Sequence, residues 1–372
     1  MKKIAVLGAG MVGRTIAKDL SQHFQVTAFD INEANLAILH KAQPAIAVEK
    51  FDLSDYAHYP EMLQGFDMVV LAVPGHMGYS ALQQIIRSGK NVVDISFFPE
   101  DPFQLHQIAK EHGVTAIVDC GVAPGMSNLI VGRYNAIMKI DSFEIYVGGL
   151  PQKPVKPFLY KAPFSPIDVI EEYTRPARLM ENGEIVTKPA LTDRSLKHFE
   201  GVGMLEAFNT DGLRSLLYTM PHILNQKEQT LRYPGHIDLI IALEQSGFFN
   251  TNPININGQH IIPLNVTARL LLDQWKLEEN EPELTIMQVI IHGEGKSIEY
   301  NLLDKYDPVT KTSSMSRSTG YTCTAAVHML NEGLFREKGV FAPETIGANE
   351  ACFSFILEYL KARHVNWIKK QE

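Results

Sequence analysis

The sequence predicts an α/β protein that begins with a doubly wound parallel sheet and continues into an α+β domain on an antiparallel or mixed sheet. Three observations predict this class. A glycine-rich turn between Gly8 and Gly13 separates an apolar run from a helical pattern. The first third of the chain then alternates apolar runs of strand length with helical patterns. From Asp141 onward, strand-like runs are separated mostly by proline-rich turns instead.

The glycine-rich turn has the spacing of the dinucleotide-binding fingerprint of Rossmann domains. Gly8 permits the sharp turn, Gly10 lets a pyrophosphate approach the backbone, and Gly13 lets the helix pack closely on the strand. The amides of Met11 and Val12 at the helix start then face the phosphates, at the positive end of the helix dipole. We therefore expect a dinucleotide to bind at this turn.

Asp30 ends the second predicted strand, 17 residues after Gly13. A carboxylate at that place can accept hydrogen bonds from both ribose hydroxyls and repels a 2′-phosphate. The sequence therefore predicts NAD in preference to NADP. Two other interpretations stay open. One is a glycine-rich turn in some other α/β protein, and the other is a methyltransferase that binds S-adenosylmethionine, whose glycine-rich loop usually has a different spacing.

Composition excludes several classes of protein. The length of 372 residues suits two domains, and the net charge of −8 without a basic run argues against nucleic acid or an anionic membrane as partner. No stretch reaches the ~18 apolar residues of a membrane span, and the N-terminal apolar run is too short for a signal peptide. The three cysteines form no CxxC pattern and the histidines show no metal spacing. We expect reduced thiols, a cytoplasmic protein and no metal.

The first third of the chain reads as two successive βαβαβ units. The predicted strands lie at 4–7, 25–29, 45–48, 67–73, 91–95 and 115–118, and the predicted helices between them begin with the pattern after Gly13 and continue near 33–40, 56–64, 79–88 and 102–112. The expected strand order 3-2-1-4-5-6 places the ligand crevice between the first and fourth strands. Their carboxyl ends carry the Gly8 turn and the loop Val73-Pro74-Gly75.

Polar residues lie at the carboxyl ends of the fifth and sixth predicted strands and should face the nicotinamide. They are Asp94 and Ser96 at one strand end and Asp119 at the other. Each aspartate suits a general base, and each equally suits a cap of the following turn. Cys120 reads as a small buried residue rather than a nucleophile, because no histidine lies near it in the sequence.

The residue pattern changes in the remainder of the chain. A helix is predicted from 123 to about 138, and strands near 142–147, 205–209, 228–233 and 284–292, the last followed by a hairpin to 297–304. Helices follow at 319–333 and 349–364. We expect a Rossmann domain at 1–122, a substrate and oligomerisation domain at 123–318, and C-terminal helices at 319–372 that pack back on the Rossmann domain.

Arginines in short polar clusters of the second domain are candidates for substrate binding. The planar fork of an arginine matches a carboxylate, although each arginine taken alone equally suits a structural ion pair. The candidates are Arg175, Arg178, Arg214 and Arg317. His236 is a candidate general base, and a lone histidine is as readily structural.

Longer motifs resemble a known family. They are Asp119-Cys120-Gly121-Val122-Ala123-Pro124-Gly125-Met126-Ser127-Asn128, Tyr146-Val147-Gly148-Gly149-Leu150-Pro151, Glu171-Glu172-Tyr173-Thr174-Arg175-Pro176-Ala177-Arg178 and Leu231-Arg232-Tyr233-Pro234-Gly235-His236. In a fixed order, these motifs resemble the lysine 6-dehydrogenase branch of the saccharopine dehydrogenase-like family. The resemblance implies an NAD-dependent oxidoreductase acting on the CH–NH2 group of an amino acid, with a Rossmann domain interrupted by a sheet domain and often oligomeric through that sheet. By position, it implies substrate contacts at Ser96, Asp119 and Arg214.

One departure separates two substrates within the family. The related saccharopine reductases carry Asp-x-Ser-Tyr after the fifth strand, whereas this chain has Asp94-Ile95-Ser96-Phe97. The difference favours lysine. A saccharopine-type reductase and a non-catalytic NAD-binding regulatory or scaffold protein remain as alternatives. For lysine we expect a site between the domains, with Asp119 or His236 as proton acceptor and Arg214 binding the carboxylate.

Overall fold

The computed structural model describes residues 1–162, 166–278 and 280–371, and these form two compact units. The first unit comprises residues 1–138 and 315–366, and the second comprises 139–314 together with the residues from Trp367 onward. The predicted class is confirmed, because one unit is built on a parallel sheet and the other on a mixed sheet.

Eighteen strands are described across the two units. In chain order they are β1 (Lys3–Leu7), β2 (Gln25–Asp30), β3 (Ala47–Lys50), β4 (Met68–Leu71), β5 (Asn91–Asp94), β6 (Thr115–Ile117), β7 (Ser142–Pro151), β8 (Ala177–Glu181), β9 (Glu184–Lys188), β10 (Ser195–Phe199), β11 (Gly203–Asn209), β12 (Asn225–Arg232), β13 (Ile254–Ile256), β14 (Gln259–Ile261), β15 (Glu283–Gly293), β16 (Lys296–Lys305), β17 (Gly339–Phe341) and β18 (Trp367–Gln371).

Thirteen α-helices are described, with 3-10 turns at Tyr56–His58 and Pro102–Leu105. The α-helices are α1 (Met11–Leu20), α2 (Glu33–Ala42), α3 (Tyr59–Met62), α4 (Gly75–Arg87), α5 (His106–Glu111), α6 (Met126–Asn135), α7 (Pro166–Thr174), α8 (Leu216–Thr219), α9 (His236–Gln245), α10 (Pro263–Trp275), α11 (Ser314–Asn331), α12 (Pro343–Ala348) and α13 (Glu350–Lys361). Within the described residues, no helix is both long enough and apolar enough to cross a membrane.

The sheet of the first unit has the order β17-β6-β5-β4-β1-β2-β3, and its strands pair in parallel. This confirms the predicted order 3-2-1-4-5-6 and adds β17 at the edge. All four residues of β4 are buried, as the continuous apolar run of this segment predicts for a strand covered on both faces. The core cluster around them combines residues of β1, β4 and β5 with residues of α4 and α5.

The sheet of the second unit is mixed, with the order β10-β11-β12-β7-β15-β16-β18. β7 and β12 run parallel, whereas β15 and β16 form a long antiparallel hairpin from the pair Leu284 and Lys305 to the pair Gly293 and Lys296. Glu294 and Gly295 between them both have positive φ, of 51° and 72°, which is the backbone of a type I′ turn. The predicted hairpin is confirmed.

The division into units differs from the predicted boundaries at residues 122 and 318. α6 belongs to the first unit because it packs on α12 at backbone distance. A Cβ atom added to Gly132 would lie 2.1 Å from the carbonyl oxygen of Glu344, and one added to Gly347 would lie 2.1 Å from that of Leu129. The first unit therefore extends to residue 138 and resumes at residue 315.

The C-terminal helices of the first unit are joined to α1 through Asp19. Its Oδ2 accepts hydrogen bonds from the Thr324 hydroxyl at 2.6 Å and the Tyr359 hydroxyl at 2.7 Å, and its Oδ1 accepts one from Nε of Arg363 at 2.8 Å. Asp19 is buried, so this carboxylate is stabilised by charge-assisted bonds inside the unit. All three donors come from the part of the chain beyond residue 320.

Candidate active site

The three glycines of the N-terminal turn have different surroundings. A Cβ atom added to Gly8, whose φ is +105°, would lie 2.2 Å from the carbonyl oxygen of Ala72. One added to Gly13 would lie 2.0 Å from that of Gly8, so both positions need glycine for packing. One added to Gly10 would meet no described atom within 4 Å. The protein thus leaves open the space that a pyrophosphate needs, and the turn fits a dinucleotide.

The N-terminus of α1 is suited to bind an anion. Gly10 is its N-cap residue, and within the described residues no side chain caps it and its first turn holds no acidic residue. The amides of Met11, Val12 and Gly13 stand at the start of the helix, where N–H groups lack partners within the helix itself. These donors and the positive end of the helix dipole favour a phosphate at this point.

Asp30 is anchored beside the glycine turn. Its Oδ2 accepts a hydrogen bond from the amide of Ala9 at 2.8 Å, and its Oδ1 accepts one from the amide of Asn32 at 2.8 Å. The side chain of Asn35 donates to Oδ2 at 3.4 Å, and its own oxygen accepts a bond from Arg14 at 3.2 Å. The carboxylate is therefore fixed in place next to the glycine turn.

The loop Val73-Pro74-Gly75 lies directly on the segment that follows β5. A Cβ atom added to Gly75 would lie 2.1 Å from the carbonyl oxygen of Phe97, and one added to Gly78 would lie 2.8 Å from the Cβ of Ser96. The loop therefore joins the carboxyl ends of β4 and β5. Ser96, which follows β5, therefore packs against the start of α4.

Asp94 and Ser96 form a tight polar pair. Oδ1 of the buried Asp94 accepts a hydrogen bond from the amide of Ser96 at 2.8 Å, which is a turn cap. The hydroxyl of Ser96 is buried, with 2% of the residue exposed, and finds no hydrogen-bond partner among the described residues. Buried hydroxyls are nearly always hydrogen-bonded, so this one stands out as a polar atom whose partner is not among the described residues.

Asp119 has a strained backbone at the end of β6. Its φ of 53° is in the left-handed region, and only 4% of the residue is exposed. Such conformations are held by their surroundings and concentrate at functional sites. The neighbouring Cys120 is buried, and burial together with the charges of Asp94 and Asp119 raises the pKa of its thiol. The thiol therefore stays protonated, and both aspartates lie within electrostatic reach of it.

A buried carboxylate that the sequence did not reveal supports the loop after Asp119. Oε2 of Glu344 on α12 accepts a hydrogen bond from the amide side chain of Asn128 at 3.1 Å. The side-chain oxygen of Asn128 accepts a hydrogen bond from the backbone amide of Gly125 at 3.3 Å. A polar residue at the second position of α12 resembles an ordinary helix start, so the sequence offered no signal for this contact.

Three of the predicted arginines contact acceptors of the protein. Arg178 binds Asp211 with a two-pronged ion pair, Nε to Oδ1 at 2.9 Å and Nη2 to Oδ2 at 2.8 Å. Arg175 contacts Glu171 at 2.5 Å. Arg317, in the first unit, donates to the carbonyl oxygens of residues 363 and 364 at 3.2 and 3.3 Å. These contacts give all three arginines structural roles, and substrate binding by them stays a prediction.

Both ring nitrogens of His236 are engaged within the protein. The Nδ1 atom lies 2.7 Å from the carbonyl oxygen of Phe158, so it carries the proton, and Nε2 accepts from the Tyr173 hydroxyl at 2.8 Å. Burial, together with the nearby charge of Arg232, lowers the pKa of His236 to about 3. The geometry therefore gives this histidine a structural role.

Arg214 stands on the turn that follows β11 in the second unit. It is 8% exposed, and its φ of 47° is again in the left-handed region. Among the described residues there is no group of three or more His, Cys, Asp or Glu side chains arranged for a metal ion. The predicted site residues are thus distributed as Asp94, Ser96, Asp119 and Arg317 in the first unit and Arg175, Arg178, Arg214 and His236 in the second.

Comparison with known proteins identifies the family. Residues 4–117 match the saccharopine dehydrogenase NADP binding domain, and residues 121–365 match the saccharopine dehydrogenase C-terminal domain. The chain belongs to the saccharopine dehydrogenase family. The sequence resemblance is confirmed at this level, and the presence of the family's dinucleotide-binding domain agrees with the open turn at Gly10.

Individual members of the saccharopine dehydrogenase family are distant relatives. The alpha-aminoadipic semialdehyde synthase of Arabidopsis thaliana is 24% identical over 299 residues, which are 69% of this chain and 28% of the relative. The saccharopine dehydrogenase [NADP(+), L-glutamate-forming] of Saccharomyces cerevisiae is 25% identical over 274 residues, which are 70% of this chain and 61% of the relative. The chain thus spans less than two thirds of either protein.

A solved structure shows the same fold. The apo histidine-tagged saccharopine dehydrogenase (L-Glu forming) from Saccharomyces cerevisiae matches with a TM-score of 0.81 at 20% identity, and the match covers 100% of both chains. The parallel sheet with its inserted mixed-sheet unit is therefore shared with this structure.

Proposed function

We propose that this chain is an NAD-dependent amino-acid dehydrogenase, and specifically an L-lysine 6-dehydrogenase. The observation that carries the dehydrogenase assignment is the open space over Gly10, with Asp30 fixed beside it by the amides of Ala9 and Asn32. The choice of lysine is supported by the motif resemblance and by Phe97, which stands where the saccharopine reductases carry tyrosine.

The preference for NAD rests on the charge of Asp30. The matched family domain and the yeast relative are both named for NADP, so the prediction runs against those names. A fixed carboxylate beside the ribose would accept hydrogen bonds from the ribose hydroxyls and would repel a 2′-phosphate. Arg14, which would attract a phosphate, already binds Asn35 and the carbonyl oxygen of Ala9 at 3.3 Å.

The chemistry asks the protein for a proton acceptor and for positioning. The bound nicotinamide supplies the acceptor of a hydride. In our proposal Asp119 takes a proton from the ε-ammonium group, so that the amine lone pair can expel the hydride from the ε-carbon. Ser96 offers its hydroxyl to the amine, and Arg214 binds the α-carboxylate with its planar fork. Holding the reacting atoms in line lowers the activation barrier by on the order of several kcal/mol.

The loss of the hydride and the proton determines the product. Removal of hydride and proton converts the C–N single bond into an imine, and water adds to release ammonium and leave an aldehyde. The remaining α-amine of the semialdehyde then attacks the aldehyde carbon, the aldehyde oxygen leaves as water, and a six-membered cyclic imine forms. Asp119, once protonated, returns its proton to solvent.

The alternative is a saccharopine-type dehydrogenase, which the names of the relatives and the match in fold favour. Its substrate carries three carboxylates and would need several inward arginines. Arg178 and Arg317 are instead held by Asp211 and by backbone carbonyl oxygens, which supports the smaller substrate. We also propose a cytoplasmic homo-oligomer, with light scattering as the test of its size.

The deciding experiment offers lysine, saccharopine and a panel of other amino acids with NAD or NADP and follows absorbance of the reduced nicotinamide. Activity with lysine and NAD supports the proposal. Activity with saccharopine alone supports the alternative. Cofactor binding without turnover of any substrate would identify a regulatory or scaffold protein.

A further inference from the structure

A buried carboxyl group of the second unit has no part in the reaction described above. β12 alternates its side chains between the two faces of the sheet, so Glu228 and its neighbours Gln226, Thr230 and Arg232 share one face. All four are buried, with Glu228 4% exposed. A buried carboxyl group is costly unless it is hydrogen-bonded or neutral. Its contacts therefore indicate what it is for.

The contacts of Glu228 lead to the turn that carries Arg214. Oε2 of Glu228 accepts a hydrogen bond from the Thr210 hydroxyl at 2.7 Å. The carboxyl group also accepts a hydrogen bond from the backbone amide of Gly212. A Cβ atom added to Gly212 would lie 2.3 Å from that oxygen. The turn is thus pressed directly onto the carboxyl group, and a larger residue at position 212 would displace the Glu228 side chain.

A second anchor holds the same turn from another strand. Arg178 of β8 binds the carboxylate of Asp211 with both prongs, and its backbone amide donates to the same residue at 3.2 Å. Asp211 and Gly212 are adjacent, so the turn is fixed on both sides immediately before Arg214. A non-glycine residue with φ of 47°, as in Arg214, keeps that strained backbone only when its neighbours hold it.

We propose that Glu228 is a positioning residue: through Thr210 and the amide of Gly212 it sets the place of Arg214 for a substrate carboxylate. This inference rests on the proposed function in its assignment of Arg214. Burial raises the pKa of Glu228 to about 8; the Thr210 and Gly212 bonds oppose this, and the charges of Glu172 and Asp211 add to it. The group is therefore mostly uncharged at neutral pH, and glutamine is its close replacement.

The test compares Glu228→Ala with Glu228→Gln. Alanine removes the acceptor, whereas glutamine keeps an oxygen for Thr210 and Gly212. For Glu228→Ala we expect faster hydrogen–deuterium exchange in the peptide 209–215. We also expect a KM for lysine raised roughly tenfold, the scale of one lost buried hydrogen bond, with kcat little changed. Glu228→Gln should restore exchange and KM towards the values of the unaltered chain.

Two controls separate positioning from general loosening. Gln226→Ala removes a buried polar side chain from the same strand face, where it binds the carbonyl oxygens of Met220 and Ile223 at 2.8 and 3.1 Å. Exchange at 209–215 should be unchanged in that variant. Cadaverine, which is lysine without its carboxylate, should show the same kinetics with Glu228→Ala as with the unaltered chain.

Thr210→Val provides a second route if Glu228→Ala does not fold, because it removes the donor and keeps the volume. Exchange that stays slow in every folded variant lacking the contact overturns the proposal, and so does a KM increase that is equal for lysine and cadaverine. If the unaltered chain oxidises no lysine, the proposed substrate fails. The exchange comparison then decides the role of Glu228 by itself.

Discussion

The replacement Gly10→Val should affect cofactor binding without affecting folding, because Gly10 has open surroundings whereas Gly13 is tightly packed. Gly10 has φ −64° and ψ −173°, an extended backbone that valine adopts readily, and a side chain there meets no described atom within 4 Å. Loss of an N-cap glycine costs up to about 1 kcal/mol, and reduced freedom of the unfolded chain returns about 0.4–1 kcal/mol. The net change in folding stability should therefore be close to zero.

Cofactor binding should respond very differently to Gly10→Val. The two methyl groups fill the space over the helix start and keep the pyrophosphate from the amides of Met11, Val12 and Gly13. Losing one or two charge-assisted hydrogen bonds costs about 1.5–3 kcal/mol each, so NAD affinity should fall by roughly tenfold to more than a thousandfold. Calorimetric titration with NAD measures the loss directly, and thermal unfolding without cofactor measures the stability.

The matched control for Gly10→Val is Gly13→Ala. Its Cβ would lie 2.0 Å from the carbonyl oxygen of Gly8, a backbone atom that cannot rotate away. Overpacking of this kind costs about 1–3 kcal/mol, so this variant should melt at a lower temperature. Undiminished NAD affinity in Gly10→Val would show that the dinucleotide lies elsewhere. A loss of stability equal to that of Gly13→Ala would show that the space over Gly10 is not open.

Three further predictions use the same protein. Asp30→Ser should relax the preference for NAD over NADP by about 1–3 kcal/mol in kcat/KM, and equal use of both cofactors by the unaltered chain would refute the assignment. Arg214→Ala should cost about 2–4 kcal/mol in kcat/KM with lysine, Arg214→Lys less, and cadaverine should be insensitive; equal losses with lysine and cadaverine would make the arginine structural. Because the folded pKa of His236 is about 3 and its unfolded pKa is near 6.5, the unfolded state binds more protons between these values. Stability should therefore fall as pH drops through this window, by on the order of a few kcal/mol, and a His236→Gln variant whose acid melting curve keeps the same slope would contradict this.

Much of the first unit could be predicted because its signals are local. The turn at Gly8, the apolar run of β4 and the alternation of runs determine a strand order with few alternatives. β17 was not predicted, since three residues at 339–341 carry too little pattern to indicate pairing with β6, more than 200 residues earlier. The first unit extends beyond the predicted boundary at residue 122 for a similar reason. No change in the residue pattern marks the start of helix α6, and the sequence does not reveal that this helix packs on α12.

The candidate site was predictable in residue types and less so in roles. Aspartates after β5 and β6 are marked by their place at strand ends. Whether an arginine faces a substrate or an aspartate depends on a partner far away in the chain, as Arg178 and Asp211 show. Glu228 was hidden because β12 is polar on both faces, so its alternation carries no contrast between core and surface.

The order in which a ribosome releases this chain bears on how the first unit matures. Six of its seven strands have been made by residue 117, yet β6 keeps an open edge until residues 339–341 emerge. Asp19, synthesised early, receives its hydrogen bonds from Thr324, Tyr359 and Arg363 only after more than 300 further residues have been made. An unfinished sheet edge is a template for pairing with other chains. The nascent protein therefore carries this liability while residues 139–314 of the second unit are being made, and the segment that holds β17 relieves it.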